Sequence, residues 1–265
     1  MYLRNASNGV QSAVWFLTAF TLLSAGCVSA ADAPSGKTPI VVELFTSQGC
    51  SSCPPADEWL AKIDRAQPIP GAELIVMSEH VDYWDHDGWR DPYSSAALTA
   101  RQAAYVANLH IDGPYTPDVV LDGMRDVPLS NPQAVAAAFR ASSHAVPGAS
   151  VQMQRERSDQ IHLKVTPLIA RLKADVFVVE ALERAETNVG AGENKGHSLT
   201  DVAVVQSMVK VGSLHPGEPL EQTVQLKPVR GESAAHLRII VLVQQKQMGR
   251  IVGAAMLKPA HSGEK

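Results

Sequence analysis

The sequence predicts an α/β domain, a mixed sheet with flanking helices, followed by an antiparallel β-sandwich-like domain. Three observations support this fold class. Strand-like and helix-like segments alternate between residues 40 and 144. After Pro147-Gly148 the pattern changes to short β-rich segments with no comparably clear helix. A Cys-x-x-Cys pair stands between the first strand and the first helix. We therefore place the α/β domain at residues 40–146 and the β-rich domain at residues 147–265.

The α/β domain begins with a strand, a helix, a second strand and a second helix. Residues 40–45 are β-branched, apolar or acidic and predict a buried strand. Residues 56–63 show helical periodicity after two prolines, which the first turn of a helix tolerates. Residues 73–78 predict the second strand, and the Ala-rich segment 94–109 predicts the second helix.

Turn and cap residues mark the rest of this domain. Residues 118–121 predict a third strand that ends at Asp122-Gly123, a pair that favours a hairpin. Asn131 is suited to cap a third helix with its body at residues 134–142. The resulting order, βαβαββα, matches a thioredoxin-like domain.

The C-terminal part is predicted to contain roughly seven strands, the count typical of a β-sandwich. Its segments alternate in polarity or are rich in β-branched residues, and turn residues separate them. Six of these strands are assigned to residues 150–157, 160–166, 175–180, 223–226, 237–244 and 251–257.

The N-terminus has the features of an export signal. Arg4 precedes a short apolar run at residues 14–23 and small residues follow, which predicts a signal peptide over residues 1–30. The run is shorter than the about 20 apolar residues that span a bilayer, so no stable membrane insertion is expected after cleavage. Residues 31–39 are expected to be a flexible segment. The expected location is periplasmic or secreted, and anchoring as a lipoprotein through Cys27 is an alternative.

Charge and cysteine content limit the classes of function. The net charge of −4 and the absence of a Lys/Arg run give no basic face, so no nucleic-acid partner is expected. Once the signal is removed, Cys50 and Cys53 are the remaining cysteines. They are therefore interpreted as one site rather than as part of a disulfide framework.

The cysteine pair predicts thiol chemistry at the start of a helix. Helix N–H groups lower a thiol pKa from about 8.5 to a range of roughly 3.5 to 7.5. The two-residue spacer places Cys53 about one helical turn from Cys50, close enough to attack a mixed disulfide. We expect Cys50 to be the attacking thiol and Cys53 the resolving thiol, with no cofactor.

Glu43 is an acid inside an apolar strand. Burying its charge costs several kcal/mol, so its presence calls for a reason. Burial raises the pKa of a carboxyl, which suits proton transfer beneath Cys53. The alternative is a structural role, in which Glu43 faces a polar loop or pairs with a cation.

Several motifs resemble those of one family: VELFTSQGCSSCPPAD, HVDYWD, GWRDPYS, YTPDVVLDG and, in the C-terminal part, GENKGH. The family consists of predicted secreted bacterial proteins with a thioredoxin-like fold and no settled function. The resemblance covers most of the mature chain. It implies a fold and a redox-type site rather than a proven reaction.

Within the wider thioredoxin group, an acid in the first central strand, the CxxC pair and a cis-proline form one constellation. By resemblance, Glu43, Cys50, Cys53 and Pro117 match it in order. Glu43 stands seven residues before Cys50, one more than is usual in thioredoxins. The same resemblance implies a cis Thr116-Pro117 bond facing the cysteines, with the Thr116 backbone pairing with an extended substrate.

The expected function is that of an exported thiol-disulfide oxidoreductase, which exchanges the Cys50-Cys53 disulfide with protein thiols or disulfides in the periplasm. One alternative is a non-catalytic binding module with an inert disulfide. Another is a periplasmic copper-handling protein, since soft thiolates with a His suit Cu(I). A structural zinc site would have to use His or carboxylate ligands, because the chain has no second CxxC.

Two further segments attract attention. Residues 79–90 are rich in acids, His and Trp, and most of them are expected to be structural, with the hypothesis that the segment borders the cysteines as a substrate-facing loop. Residues 190–196 are Gly-rich but lack the ending of a phosphate loop, so they predict a turn between strands. We expect Glu193, Asn194 and His197 to make contacts between the two domains.

Overall fold

The computed structural model describes residues 1–2, 36–86 and 88–259, and all elements below belong to the last two ranges. Residues 3–35 lie outside the described residues, and with them Cys27 and the body of the predicted signal peptide. In the part of the chain that is described, no helix is long and apolar enough to cross a membrane.

The first half of the chain has the predicted order of strands and helices. Its elements are β1 (Thr38–Thr46), α1 (Pro54–Ala66), β2 (Ala72–His80), α2 (Ala96–Leu109), β3 (Asp118–Leu121), β4 (Arg125–Asp126) and α3 (Pro132–Ser143). The predicted turn and cap are confirmed. Asp122 and Gly123 both have positive φ angles, 50° and 64°, where β3 turns into β4. The Asn131 side chain accepts a hydrogen bond from the Ala134 N–H (3.0 Å) at the start of α3.

The second half contains seven strands among the described residues. They are β5 (Ala149–Arg157), β6 (Gln160–Pro167), β7 (Ala174–Asn188), β8 (Ser198–Leu214), β9 (Leu220–Gln225), β10 (Leu237–Gln245) and β11 (Ile251–Leu257). The count agrees with the prediction. The longest strand, β8, lies outside the predicted strand segments, and β7 extends well beyond its predicted end.

Eight strands form one mixed sheet in the order β11-β10-β7-β8-β2-β1-β3-β4. β2 lies parallel to β1 and to β8, and the other neighbours are antiparallel. The contact between β2 and β8 joins Ser78 to Val204. The predicted boundary at residue 147 falls between α3 and β5, and strands from both sides of it share this sheet. The architecture is therefore mixed α/β with a large sheet and few helices.

The helices cover opposite faces of the sheet. Successive side chains of a strand point to opposite faces. The even-numbered residues Ile40, Val42 and Leu44 of β1 pack with α1 and α3, on what we call the α1 face. The odd-numbered residues Val41 and Phe45 pack with α2, on the α2 face. Even-numbered β1 residues therefore pack against α1 and α3, and odd-numbered ones pack against α2.

The second sheet, in the order β5-β6-β9, packs on the C-terminal part of the main sheet. Buried side chains of β6 meet buried side chains of β7 and β10 there: Ile161, Leu163, Val165, Val176, Val178, Ile239, Val241 and Val243. Two packed sheets were predicted for this part of the chain. The difference is that one of them is the main sheet, which continues into the first half.

Candidate functional site

The two cysteines lie in the turn between β1 and α1. The Cys50 N–H donates to the Ser47 carbonyl (3.1 Å), which closes the turn after β1. Cys53 is the N-cap residue of α1, and Pro54 and Pro55 occupy the first turn of that helix. The Cα atoms of the cysteines are 5.5 Å apart, and their sulfur atoms form a disulfide. The site therefore combines a disulfide with the N-terminus of a helix.

Both cysteines are completely buried. Their exposed fractions are 0%, whereas Ser51 and Ser52 between them are exposed. The Cys50 sulfur lies 3.3 Å from the Ser52 hydroxyl oxygen and 3.9 Å from the Thr116 carbonyl oxygen. The disulfide is thus enclosed, although the turn that carries it faces solvent.

Thr116 and Pro117 lie beside the cysteines, as the family resemblance implied. The peptide bond between them is cis. The Trp84 indole N–H donates to the Thr116 hydroxyl (2.8 Å), and the Ser52 hydroxyl lies 3.5 Å from the Thr116 carbonyl oxygen. Of the predicted site residues, the structure brings together Cys50, Cys53, Thr116 and Pro117.

The expected position of Glu43 beneath Cys53 requires a correction. Glu43 is fully buried on the α2 face, where it accepts hydrogen bonds from the Arg101 Nε–H (2.7 Å) and the Tyr105 hydroxyl (2.7 Å) of α2. Cys53 caps α1, which covers the opposite face, where the even-numbered β1 residues Ile40, Val42 and Leu44 pack. The structure therefore separates Glu43 from the cysteines and gives it a cation as partner.

Glu43 belongs to a buried charge cluster on the α2 face. The Arg101 Nε atom lies 3.5 Å from a Glu79 carboxylate oxygen, so one guanidinium serves two carboxyls. Burial, and then the charge of Glu43, raise the pKa of Glu79 well above its usual value. Burial alone lowers the pKa of Arg101, but the charge of Glu43 raises it above its usual value. The Gln244 side chain of β10 donates to Tyr105 (2.9 Å) and accepts from Arg101 (3.1 Å). The cluster thus ties α2 to the main sheet.

A second buried cluster lies on the α1 face, near the cysteine turn. His80 Nδ1 is 2.7 Å from an Asp91 carboxylate oxygen, and both side chains are fully buried. Burial lowers the pKa of His80, but the charge and hydrogen bond of Asp91 outweigh this effect and raise the pKa to about 9. Burial raises the pKa of Asp91, and His80 outweighs this and lowers it. The pair is therefore an imidazolium and a carboxylate at neutral pH.

Gln48 connects this cluster to the cysteine turn and to the second half of the chain. Its backbone N–H donates to Asp91 (2.8 Å). Its side-chain amide donates to Asp201 in β8 (2.9 Å) and to Thr187 in β7 (3.1 Å). The position of the turn therefore depends on two acids and a threonine from three separate parts of the chain.

Asp57 is the acid closest in sequence to the cysteines on the α1 face, and sequence reasoning gave it no role. It is buried, and its N–H donates to the Cys53 carbonyl (3.1 Å) in the first turn of α1. Burial, and then the charge of Asp201, raise its pKa well above the usual value. Its position four residues after Cys53 was a signal in the sequence, because such residues share one face of a helix.

A loop of the second half covers the cysteine turn. We call residues 189–197, between β7 and β8, the cover loop. The Asn194 side-chain amide donates to the carbonyls of Gln48 and Cys50, both at 2.9 Å, and Asn194 is 3% exposed. The Glu193 carboxylate accepts from the Ser51 N–H (3.1 Å). Hydrogen bonding by the Ser51 side chain, and then by this N–H, lowers the pKa of Glu193. The expected contacts of Glu193 and Asn194 between the two parts of the chain are confirmed.

Replacing Asn194 with alanine is expected to expose the disulfide. The variant loses the two hydrogen bonds that hold the cover loop to the turn, at a cost of about 1–3 kcal/mol because the two carbonyls are left buried. Reduction by a phosphine at limiting concentration should be faster than in the wild type. Lys195→Ala, which changes an exposed side chain of the same loop, is the control and should leave the rate unchanged. Equal rates in all three proteins would show that the loop does not limit access.

Side chains of residues 79–90 lie in three places: on the α1 face of the sheet, on its α2 face and next to the cysteine turn. Glu79 joins the α2-face cluster and His80 the α1-face cluster. Trp84 borders the cysteine turn so closely that a Cβ atom on Gly49 would lie 3.1 Å from the Trp84 Cβ. Asp85 accepts a hydrogen bond from the Asp91 N–H (3.2 Å) and is thereby part of the loop framework. The segment therefore does border the cysteines.

Asp118, directly after the cis-proline, gives a testable pH dependence. It is buried on the α2 face, where Gln102 donates to it (3.0 Å), and burial raises its pKa to about 7. Its unfolded pKa is about 3.9. Its contribution to stability is therefore fully present below about pH 3.9 and lost as the pH rises through about 7. We expect the free energy of unfolding, measured with urea, to decline over this interval.

The variant Asp118→Asn should show a shallower decline, because the titrating group is gone. Glu58→Gln, an exposed carboxyl of α1, is the control and should keep the wild-type slope. A wild-type slope in Asp118→Asn would contradict the assignment.

Among residues 36–86 and 88–259, no group of three or more His, Cys, Asp or Glu side chains is arranged to hold a metal ion. The two sulfur atoms that copper binding would use are joined in the disulfide. Copper binding at this site would therefore have to follow reduction of the Cys50-Cys53 pair.

The described residues define a mixed α/β protein with a buried disulfide at the N-terminus of its first helix. The chain belongs to the DUF1223 family, proteins of unknown function, whose family model matches residues 41–244. It is similar to protein AGR_C_4864 from Agrobacterium tumefaciens, known from an X-ray crystal structure. The two are 26% identical with a TM-score of 0.69, over 88% of this chain and 99% of that one.

A weaker likeness links the chain to a domain of the outer membrane lipoprotein Omp28 from Porphyromonas gingivalis. The identity is 14% and the TM-score 0.26, over 43% of this chain and 89% of that one, which is too low to define a shared fold. Among curated proteins, none matches the chain.

Proposed function

We propose that this protein is an exported thiol-disulfide exchange protein whose first half is thioredoxin-like. The observation that carries the proposal is the Cys50-Cys53 disulfide at the first turn of α1, with the Thr116 carbonyl 3.9 Å from the Cys50 sulfur. The order of strands and helices in residues 38–143 and the parallel pairing of β1 with β2 support the thioredoxin-like assignment.

The helix start gives the two cysteines different roles. Cys50 precedes α1, where the helix N–H groups and dipole favour a thiolate. A substrate sulfur bonded to Cys50 would lie beside the exposed serines of the turn. Cys53 begins the helix and stays within reach of Cys50, so its thiolate displaces the substrate. Thr116, with its carbonyl near Cys50, offers main-chain groups to an extended partner chain.

The partners that fit this chemistry are protein thiols or disulfides in the periplasm or outside the cell. The predicted signal peptide supports this location, and exchange between thiols and disulfides requires no cofactor. The negative net charge gives no reason to expect nucleic acid as a partner.

One observation favours a second candidate function. Both cysteines are completely buried, and Asn194 binds the Cys50 carbonyl from above the turn. An inert disulfide would show this burial, because a structural disulfide has no need of access. The second candidate is therefore a non-catalytic binding module in which the disulfide only stabilises the turn.

Trapping of a mixed disulfide tests the proposal against this alternative. Reduced Cys53→Ser retains Cys50, which should attack oxidised glutathione and keep one glutathione, since no resolving thiol is present. Reduced Cys50→Ser retains the Cys53 thiol and should react with oxidised glutathione at least about tenfold more slowly than Cys53→Ser. Intact-protein mass spectrometry measures the added glutathione. If neither native variant gains glutathione, the binding module is the better account.

A further inference from the structure

Asp57 is a buried carboxyl whose described neighbours leave one of its two oxygens without a hydrogen bond. Its Oδ1 atom is buried and accepts no hydrogen bond from any residue in the described part of the chain. Burial of such an oxygen costs stability. By contrast, the buried Glu43 accepts hydrogen bonds from Arg101 and Tyr105. A buried acid with one oxygen left without a donor, next to a reactive disulfide, indicates a functional rather than a structural role.

The helix geometry directs Asp57 toward Cys53. The Asp57 N–H donates to the Cys53 carbonyl (3.1 Å), so the two residues are one helical turn apart and on the same side of α1. That side faces the sheet, because Asp57 is 8% exposed while the next residue, Glu58, is exposed. The even-numbered residues of β1 lie on this face, and none of them is a carboxyl.

The charged and polar groups that face Asp57 come from every element packed against it. They are the Thr46 hydroxyl at the end of β1, the His80 imidazolium of β2, the Asp91 carboxylate of the following loop and Asp201 of β8. Burial and the Asp201 and Asp91 charges favour the protonated carboxyl, whereas His80 and Thr46 favour the carboxylate. Burial is the largest of these effects, and the net result is a raised pKa of Asp57, which favours the protonated carboxyl.

We propose that Asp57 is the proton donor to the Cys53 sulfur when the disulfide opens, and the proton acceptor from Cys53 when it re-forms. This inference rests on the proposed exchange function. The chemical need follows from the burial of Cys53, since a thiolate left in a site of 0% exposure is costly unless it gains a proton.

The protein oxidises a substrate dithiol in two successive thiol-disulfide exchanges. A substrate thiolate attacks Cys50, the Cys50-Cys53 bond breaks, and its electron pair goes to the Cys53 sulfur. The Asp57 proton moves to that sulfur, which leaves a Cys53 thiol and an Asp57 carboxylate. A second substrate thiolate attacks the substrate sulfur of the mixed disulfide, which releases Cys50 as a thiolate. The substrate loses two electrons and the cysteine pair gains them. Of the two substrate protons, one restores Asp57 and the other stays in solvent.

The test is the rate at which dithiothreitol opens the native disulfide as a function of pH, over about pH 5 to 9. Asp57→Asn should react at least about tenfold more slowly at neutral pH, and its pH-rate profile should lack one inflection of the wild type. Glu58→Gln, one residue away and exposed, should keep the wild-type rate and profile. In the wild type, the negative charge of Asp201 raises the pKa of Asp57. Asp201→Asn removes that charge and should therefore move the inflection to lower pH.

An Asp57→Asn profile with the same inflections as the wild type would overturn this inference and leave the proposed exchange function in place. A wild-type disulfide that native conditions never open would overturn both. If Asp57→Asn does not fold, infrared difference spectra of the wild type decide instead. Loss of a protonated carboxyl band on going from the oxidised to the mixed-disulfide form would support the role of Asp57, and an unchanged band would overturn it.

Discussion

Replacing Cys50 with serine is expected to abolish thiol-disulfide exchange by this protein, with a loss in rate of at least about a thousandfold. Cys50 carries the sulfur that a substrate must attack or bond, and a serine oxygen forms no disulfide. The neighbouring groups are retained in this variant: the Thr116 carbonyl, the cover loop and the start of α1. The loss should therefore come from the missing sulfur and not from a displaced turn.

The rate is measured as reduction of a peptide with a single disulfide, with dithiothreitol as the source of electrons. Ser51→Ala is the matched control, because it changes an exposed side chain of the same turn, next to Cys50. The control should retain most of the wild-type rate. A Cys50→Ser variant as fast as the wild type would place the reaction elsewhere, and a wild type no faster than dithiothreitol alone would favour the binding module.

Replacing Arg101 with methionine is expected to give the largest loss of stability, about 3–5 kcal/mol in the free energy of unfolding. Arg101 is 8% exposed and is the cation next to the buried acids Glu43 and Glu79. Without it, the cluster contains two buried carboxyls and no cation. The cost is that of an uncompensated buried charge, which exceeds the value of a surface ion pair by several times.

Urea unfolding measures this loss, and a second substitution tests its cause. In the double variant Arg101→Met with Glu43→Gln, the unpaired charge of Glu43 is removed, so part of the lost stability should return. Arg184→Met removes a surface cation paired with Glu186 and should change stability by less than about 1 kcal/mol. If the double variant is less stable than Arg101→Met alone, lost packing rather than unpaired charge would be the cause.

The first half of the fold could be predicted from the sequence because strong local signals separate its elements. Pro54 and Pro55 begin α1, Asp122 and Gly123 form the β3–β4 turn, and Asn131 caps α3. Each signal acts over a few residues and does not depend on the rest of the chain. The continuity of one sheet across residue 147 could not be predicted, because it rests on the pairing of β2 with the distant strand β8.

Glu43 shows how a shift of one residue changes a role. A strand alternates its faces with every residue, so an acid seven positions before Cys50 lies on the opposite face from one six positions before it. Position 44, on the α1 face, holds a leucine. The prediction that Glu43 is buried was sound, since it followed from the surrounding apolar strand. The expected position beneath Cys53 was wrong, because the face on which Glu43 lies depends on whether its position in the strand is odd or even.

The groups around the cysteines that sequence reasoning missed come from distant parts of the chain. Asp91 and Asp201 stand 43 and 153 positions from Gln48, with which each forms a hydrogen bond. No local pattern relates such residues, and the order of strands in the main sheet brings them together. Asp57 is the exception, because its spacing from Cys53 is visible in the sequence.

Because the disulfide is buried, the proposed function requires that the cysteine pair can exchange while the protein stays folded. The most direct measurement places the native protein in buffers of defined dithiothreitol redox ratio, with thiols counted by mass spectrometry after alkylation and the fold followed by tryptophan fluorescence. Cys50 and Cys53 are expected to pass reversibly between disulfide and dithiol while the fluorescence stays native. Reduction that occurs only together with unfolding would contradict it.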